Sequence, residues 1–440
     1  MKNKILKNIS WLFFDKIIRL FGGLLVGVWV ARYLGPEDFG RLSYAAAFVA
    51  FFSFMSNLGL NSIVVREIAK GKDVYYKIVG TSFYLKLFGG LLACTTAILC
   101  IMFAQKDATT IQCIVVLLAL GYLFQSLDII DYSFQANILS KYVVLARDGA
   151  FLVSSILKVL FIILKFEVIY FALAVLLDIF LASLFLIVFY TRTGNSVRLW
   201  KYDQTIAKKL LRFSWPLMFS VLFITIYMKI DQVMIEHLLG IKEVGIYSVA
   251  VNISEAWYFI PAIIVSSLMP YFVKLKDVDY DRYTYRIQQV YTIMIWMGIL
   301  IGLLAVFFGK EAIILIFGIE YKNAYEALYI NIWTGIFVSL GVASSLILIS
   351  ENLQIYQLIS AIILIVVNVT GNWFIIPYWG ITGAAITTLV TQGVGLLIIP
   401  LFFKPIRKIT ILSLKSVLPF YLLGKENGIS TSRDNHLFKD

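Results

Sequence analysis

Histidine is nearly missing from this chain, which holds two among 440 residues, His237 and His436, with no companion ligand spaced to join either. That removes the common zinc sets and the Ser-His-Asp arrangement of a hydrolase. Cysteine is scarce as well. Cys94, Cys100 and Cys113 show no metal-ligand spacing and read as packing residues. No glycine-rich loop ending in Gly-Lys-Ser/Thr occurs, so ATP hydrolysis by that route is excluded. Charged residues make up only 15% of the chain, against about 25% in soluble domains. A chemical catalyst is hard to assemble from this inventory, and no cofactor or metal is expected.

What is present is apolar. Sixty per cent of the residues are hydrophobic, beyond the roughly 45–50% of soluble domains, so the chain reads as an integral membrane protein. A span needs about 20 apolar residues. Runs of that kind lie near 10–31, 42–65, 81–104, 111–135, 148–165, 168–190, 213–239, 246–270, 288–308, 325–349, 355–377 and 381–402. The first run carries Asp15, Lys16 and Arg19 and lacks a small-residue cleavage site, so it reads as a retained span rather than a secretory signal.

Lysine and arginine give the orientation, because cytoplasmic loops hold the excess of positive charge. With the N-terminus inside, the inner side collects Lys2, Lys4, Lys7, Arg66, Lys70, Lys72, Arg192, Arg198, Lys201, Lys208, Lys209 and Arg212. The outer loops hold only Arg32, Arg41, Lys106, Lys165, Lys242, Lys310 and Lys322. The net charge of +12 is therefore topological rather than a sign of nucleic-acid binding, and both termini are expected on the cytoplasmic side of the inner membrane.

The chain also looks duplicated. Val28 to Gly40, with Gly35 and Gly40, returns as Val233 to Gly245, with Gly240 and Gly245; Ser43 and Ala45 return as Ser248 and Ala250. The copies follow the first and the seventh run. Because six spans is an even number, equivalent spans cross in the same direction. The expected fold is an all-α polytopic membrane protein with about 12 transmembrane helices in two six-helix bundles, related by a pseudo-twofold axis along the membrane normal. The bundles would cover 1–190 and 213–403. The basic stretch 191–212, with its interspersed Leu, Trp and Tyr, reads as an interfacial linker helix. Residues 404–440 form a cytoplasmic tail: an apolar segment at 411–423 reads as a surface or partial helix, and the polar end from Gly424 as disordered.

The spans contain charges that lipid does not tolerate: Asp15, Lys16, Arg19, Lys86, Asp128, Asp131, Lys158, Asp178, Lys229, Asp231 and Glu255. At about 2.5–3.5 kcal/mol for each one in mid-bilayer, exposure of all to lipid would cost on the order of 30 kcal/mol. They must mostly face each other or water. Arg19 sits eight residues beyond Trp11, about 12 Å deeper, and one turn from Asp15 on the same face. It either contacts an anionic group in a central cavity or is held by an acid. Lys16 is shallower and can reach headgroups. Lys229 and Asp231, two residues apart, point to different faces of span 7. Lys158 and Asp178 can pair across helices, and Lys86 can neutralise Asp128 or Asp131. A buried acid without a partner can carry a proton or an ion, and Glu255 is the first candidate.

Four motifs carry a resemblance: Ala31-Arg32-Tyr33-Leu34-Gly35-Pro36-Glu37-Asp38-Phe39-Gly40; Asp231-Gln232-Val233-Met234-Ile235 leading to Gly240 and Glu243-Val244-Gly245-Ile246-Tyr247-Ser248; Phe317-Gly318 with Glu320-Tyr321 and Ala324; and Gly380-Ile381-Thr382-Gly383-Ala384-Ala385. Over nearly its whole length the chain resembles the bacterial polysaccharide flippases, in the superfamily that also holds multidrug exporters and lipid II flippases. The resemblance implies two six-helix bundles around a partly cationic cavity. It also implies transfer of an undecaprenyl-pyrophosphate-linked oligosaccharide, such as an O-antigen unit, from the cytoplasmic to the periplasmic leaflet. A polysaccharide polymerase and a chain-length regulator are partners expected on the same ground. Arg19, Lys229 and Lys16 then become the residues that hold the pyrophosphate. The rivals are an ion-coupled multidrug antiporter and, as an enzyme, a membrane glycan polymerase or acyltransferase.

Overall fold

The computed structural model describes residues 2–70, 74–106 and 108–418, excepting the side chains of residues 2–10, 12–14, 17 and 20. Lys72, the end of the apolar segment 411–423 and the polar end from Gly424 lie outside the described residues. The helices are α1 (Lys2–Ala50), α2 (Ser53–Asn57), α3 (Asn61–Lys70), α4 (Tyr75–Ala104), α5 (Thr109–Phe124), α6 (Ile129–Ala136), α7 (Ser140–Ile163), α8 (Val168–Arg192), α9 (Gln204–Leu239), α10 (Ile241–Glu255), α11 (Phe259–Val278), α12 (Tyr280–Ile316), α13 (Ala324–Ser350), α14 (Ile355–Gly393), α15 (Ile399–Phe402) and α16 (Arg407–Lys415). Among the described residues, eight helices are long and apolar enough to cross a membrane, or up to nine when bent pairs are counted as single spans. Phe88, Phe103, Ile163, Phe307, Leu315 and Tyr378 stand exposed on their outsides, where lipid rather than water is the fitting solvent. The chain is a multi-pass membrane protein.

The apolar runs become helices with breaks where local chemistry demands them. In α1 the chain turns at Gly35 (φ 70°, ψ 174°), and Pro36 opens the next helical segment; glycine admits the positive φ and proline tolerates a first turn that lacks an N–H partner. Gly240 (φ 97°, ψ 170°) makes the same turn between α9 and α10. The duplicated glycines thus hold the same backbone shape. The run expected at 42–65 breaks further into the end of α1, α2 and α3, with a 48° bend.

The two copies of the repeat also touch each other. A Cβ on Gly40 would lie 2.1 Å from the Ile241 carbonyl oxygen, and one on Gly245 would lie 1.9 Å from the Pro36 carbonyl oxygen. Pro36 and Ile241 are themselves equivalent in the repeat, so the contact is reciprocal: each glycine receives the backbone that the other's copy presents. Small residues allow such close approach of membrane helices. Around this crossing one apolar core joins Phe39, Tyr44, Phe48 and Val49 of α1 to Val244, Tyr247, Val249 and Ala250 of α10. Two other cores stay apart. One packs Ile63, Ile78, Ile130, Val143 and Leu186; the other packs Phe272, Ile287, Tyr291, Leu346 and Ile409. Both lie near the basic connections.

Two expectations need correction. The separate linker helix over 191–212 does not form. After α8 the chain turns at Gly194, makes one short 3-10 turn at Val197–Leu199, and enters α9 at Gln204. Asp203 caps that start, accepting from the Thr205 and Ile206 N–H groups at 3.0 and 3.2 Å. Everything beyond it is continuous with the seventh run. Lys209, on this first part of α9, reaches back 2.6 Å to Glu67 of α3, which also receives Lys70 at 2.8 Å. The two ammonium groups hold the Glu67 carboxyl down at about 2. The second correction concerns the run at 148–165: α7 starts at Ser140, two turns earlier, which carries Arg147 and Asp148 inside the helix.

If the glycine crossing seals this end, a branched side chain must pry it open, at a cost above the roughly 1–3 kcal/mol of ordinary overpacking. In a chain whose native cysteines are replaced by serine, Val244→Cys is expected to resist a membrane-impermeant thiol reagent and to become reactive when Gly40→Val is added. Continued protection would contradict the seal.

Candidate functional site

Arg19 sits in a nest of acids. Its Nε lies 2.9 Å from Asp15 Oδ1, one turn away on α1, and 3.4 Å from Asp148 Oδ1 on α7. The guanidinium also lies over the Phe151 ring at 5.7 Å, a geometry that favours a cation. Asp148 and Phe151, three residues apart on α7, therefore grip Arg19 from one helix face. A third acid, Asp178 of α8, lies within its electrostatic reach. Arg19 nevertheless keeps a third of its side chain exposed, and Lys16 beside it is exposed.

On α9 the two neighbours diverge as their spacing requires. Lys229 is partly exposed and stands 3.8 Å from Glu255 Oε2 at the end of α10. Asp231 is buried; its Oδ2 accepts the Tyr247 hydroxyl at 2.5 Å and its Oδ1 the Gln232 N–H at 3.0 Å. Asp231 and Glu255 line one small cavity of about 30 Å³ with Tyr227, Tyr247, Asn331, Thr388 and Gln392. That is room for a water-sized occupant among polar groups. Among the described residues, no group of three or more His, Cys, Asp or Glu is arranged to hold a metal ion.

The remaining intramembrane charges form a separate network. Arg147 Nη2 meets Asp131 Oδ2 at 2.6 Å and Asp128 Oδ1 at 3.7 Å; Lys86 stands 3.8 Å from Asp128 and donates to the Tyr132 hydroxyl at 3.2 Å. Gln135 fills the other Asp131 oxygen at 2.9 Å. Lys86 is fully buried, so its ammonium depends on these partners. Lys158 and Asp178 do not form a close ion pair: Asp178 Oδ1 is buried without a hydrogen-bond partner, and Lys158 acts on it only at longer range. Asp178 instead divides its electrostatic influence between Arg19 and Lys158.

Two residues of these sites, Arg147 and Asp148, escaped the reading of the sequence. Placing the start of the fifth run at residue 148 left both at the membrane edge. The apolar stretch Tyr142-Val143-Val144-Leu145 immediately before them was the available signal that the helix begins earlier. At the glycine end a more open pocket of about 480 Å³ is lined by Arg41, Gln105, Thr109, Thr110, Glu236 and Ile241. Gln105 donates to Glu236 there at 2.7 Å, and Arg41 is committed to Glu37 at 2.5 Å and to Asp38. None of the sequence-predicted site residues reaches it.

A family model described as "Polysaccharide biosynthesis protein" matches residues 5–276. The chain belongs to this family. A curated relative, the capsular polysaccharide biosynthesis protein CapF of Staphylococcus aureus, is 24% identical over 423 residues, covering 91% of this chain and 100% of the relative. Among solved structures, this polysaccharide biosynthesis protein is similar to an inward-facing multidrug resistance MATE family transporter of the MOP superfamily: TM-score 0.70, 18% identity, 93% of this chain and 99% of that one. It is also similar to the lipid II flippase MurJ in an inward closed conformation: TM-score 0.68, 15% identity, 96% and 94%. At these identities the likeness shows a shared fold.

Asp131 is buried although Arg147 keeps 37% of its side chain exposed, so removing the guanidinium leaves a buried carboxylate short of its partner, at a cost of about 1–3 kcal/mol. Arg147→Met is therefore expected to lower the melting temperature of the purified protein, and adding Asp131→Asn to recover part of the loss. An unshifted melting temperature for Arg147→Met would remove this network from the account of stability.

Proposed function

We propose that this protein is a flippase, not an enzyme, moving an undecaprenyl-pyrophosphate-linked oligosaccharide from the cytoplasmic to the periplasmic leaflet of the bacterial inner membrane. The observation that carries the reading is Arg19. It is a partly exposed guanidinium at span depth, in a member of a polysaccharide biosynthesis family. Its planar fork matches a pyrophosphate bidentately, and Lys16 and Lys229 supply further positive charge. The glycan needs polar groups, and the lipid tail can remain in the bilayer.

In this reading α1 and α14 each count as two spans, divided at Gly35 and Gly380 where the backbone leaves the helical region, and α7 counts as one. That gives twelve spans in two halves of six, with both termini cytoplasmic. Alternating access is a rocking of one half on the other about the glycine crossing. The shared core at that end and the separate cores near the basic connections support a protein open toward the cytoplasm. So does the greater similarity to an inward-facing relative, TM-score 0.70, than to an outward-facing one, 0.60. The small cavity holding Asp231 and Glu255 is the candidate for coupling to an ion gradient. Its tyrosine, asparagine and threonine groups can solvate a small cation or a proton there. A polymerase and a chain-length regulator would take up the product outside.

Drug efflux is the second reading, supported by the similarity to a multidrug transporter. The cations Arg19, Lys158 and Lys229 weigh against it, because a cationic drug would meet charge of its own sign. The test is the accessibility of the lipid-linked oligosaccharide to a periplasmic ligase in cells lacking the gene. Accumulation on the inner leaflet, relieved by wild type and at least about tenfold less by Arg19→Ala, is the expected result. Full export with normally inserted Arg19→Ala would overturn the role of Arg19; full export without the gene would overturn the substrate.

A further inference from the structure

Two of the three cations assigned to the pyrophosphate already have acidic partners. Arg19 already has Asp15 and Asp148 as counter-anions, at 2.9 and 3.4 Å, and Lys229 already has Glu255 at 3.8 Å. The pairs differ in kind. Asp15 is on the same helix as Arg19, one turn away, and travels with it. Asp148 and Glu255 are on other helices, α7 and α10, and each meets its cation across a helix interface. Arg19, Lys229 and Glu255 also keep about a third of their side chains exposed. Ion pairs in that condition are worth little, about 0–1 kcal/mol each, so a dianionic group arriving from the open side can displace them. Asp148 is the more enclosed partner, with 10% of its side chain exposed, and its Oδ1 is buried without a hydrogen-bond partner. Asp15 is its other close electrostatic neighbour, so Arg19 stands between two carboxyl groups.

We propose that Asp148 and Glu255 are resident counter-anions that the pyrophosphate of a lipid-linked substrate displaces on entry and that displace it again on release. This inference rests on the reading of Arg19 and Lys229 as pyrophosphate ligands and adds two specificity-determining residues to it. The physical need is plain. A bare guanidinium and ammonium in a low-dielectric site would bind a diphosphate tightly and give it up slowly, whereas a carboxylate within reach returns to the cation as the diphosphate leaves. The carboxylates also set what is admitted. A monoanionic lipid headgroup carries no more charge than the acid that it must replace and gains little by the exchange, while a diphosphate brings a second charge.

The consequence runs against the usual effect of deleting a site residue. Asp148→Asn keeps the shape of the side chain and removes the competing charge. Bound to a short polyprenyl diphosphate in detergent, the full-length variant is expected to show a Kd about two- to fivefold lower than wild type, as loss of a competing pair of that strength implies. In reconstituted vesicles its KM for the lipid diphosphate falls and its turnover falls with it, because release is slowed. Glu255→Gln lowers the Kd in detergent, where no ion gradient acts, in the same direction, and Asp148→Glu restores the wild-type values. A polyprenyl monophosphate and inorganic pyrophosphate, measured alongside, separate the contribution of the second phosphate from that of the lipid. Arg19→Ala must weaken diphosphate binding. If Arg19→Ala weakens binding but Asp148→Asn leaves it unchanged or weaker, the counter-anion role is overturned and the site stands. If Arg19→Ala leaves binding unchanged, the site reading fails and the exchange fails with it.

Discussion

The reciprocal glycine crossing is the contact on which the rest of the molecule depends. Backbone meets backbone at Gly40 and Gly245, with Pro36 and Ile241 carbonyls filling the space that a Cβ would need. In lipid there is no hydrophobic drive to bring helices together, so packing at short range must hold them. The large shared core of α1 and α10 forms because those two helices can approach this closely. The same contact fixes the ends of the helices that carry Arg19 on one side and Lys229 on the other. It therefore sets where the charges of each half stand when that end is closed.

The intramembrane charges divide into two populations by how their partners are arranged. Asp128, Asp131, Lys86 and Arg147 satisfy one another at close range and with Tyr132 and Gln135. Such a network has no spare valence and belongs to the framework. Arg19 has Asp15 on its own helix at 2.9 Å and Asp148 across an interface at 3.4 Å, and Lys229 has only Glu255, at 3.8 Å across an interface. Low-dielectric surroundings make each charge costly if left alone, which fits the acids found beside Arg19, Lys86, Arg147 and Lys229. The distinction that matters for function is how easily that acid can be replaced.

Much of this was legible in the sequence. Apolar runs give the membrane class, and the recurrence of Gly35 as Gly240 marks the two turns, because glycine adopts a positive φ without the cost that a side chain adds. The sequence could not say that the two copies would pack on each other, since pairing between distant segments leaves no local periodicity. The interruptions of helices at Phe51–Phe52 and Ala256–Tyr258 were equally silent, being set by tertiary fit. Among the charges, Arg19 and Asp15 were readable as a pair because they lie one turn apart on one helix. Asp148 is not, because its partner is on another element and α7 begins at Ser140, before the apolar run that the sequence shows from 148. Lys158 and Asp178 are opposite in sign and on adjacent spans, yet they form no close ion pair.

The most direct measurement is the sidedness of access to Lys16, exposed beside Arg19 on α1. In a chain with the three native cysteines replaced, Lys16→Cys in oriented vesicles should react with an impermeant thiol reagent applied from the face bearing the basic connections and stay protected from the glycine face. Equal labelling from the glycine face would contradict a molecule sealed at the Gly40–Gly245 crossing and open at its other end.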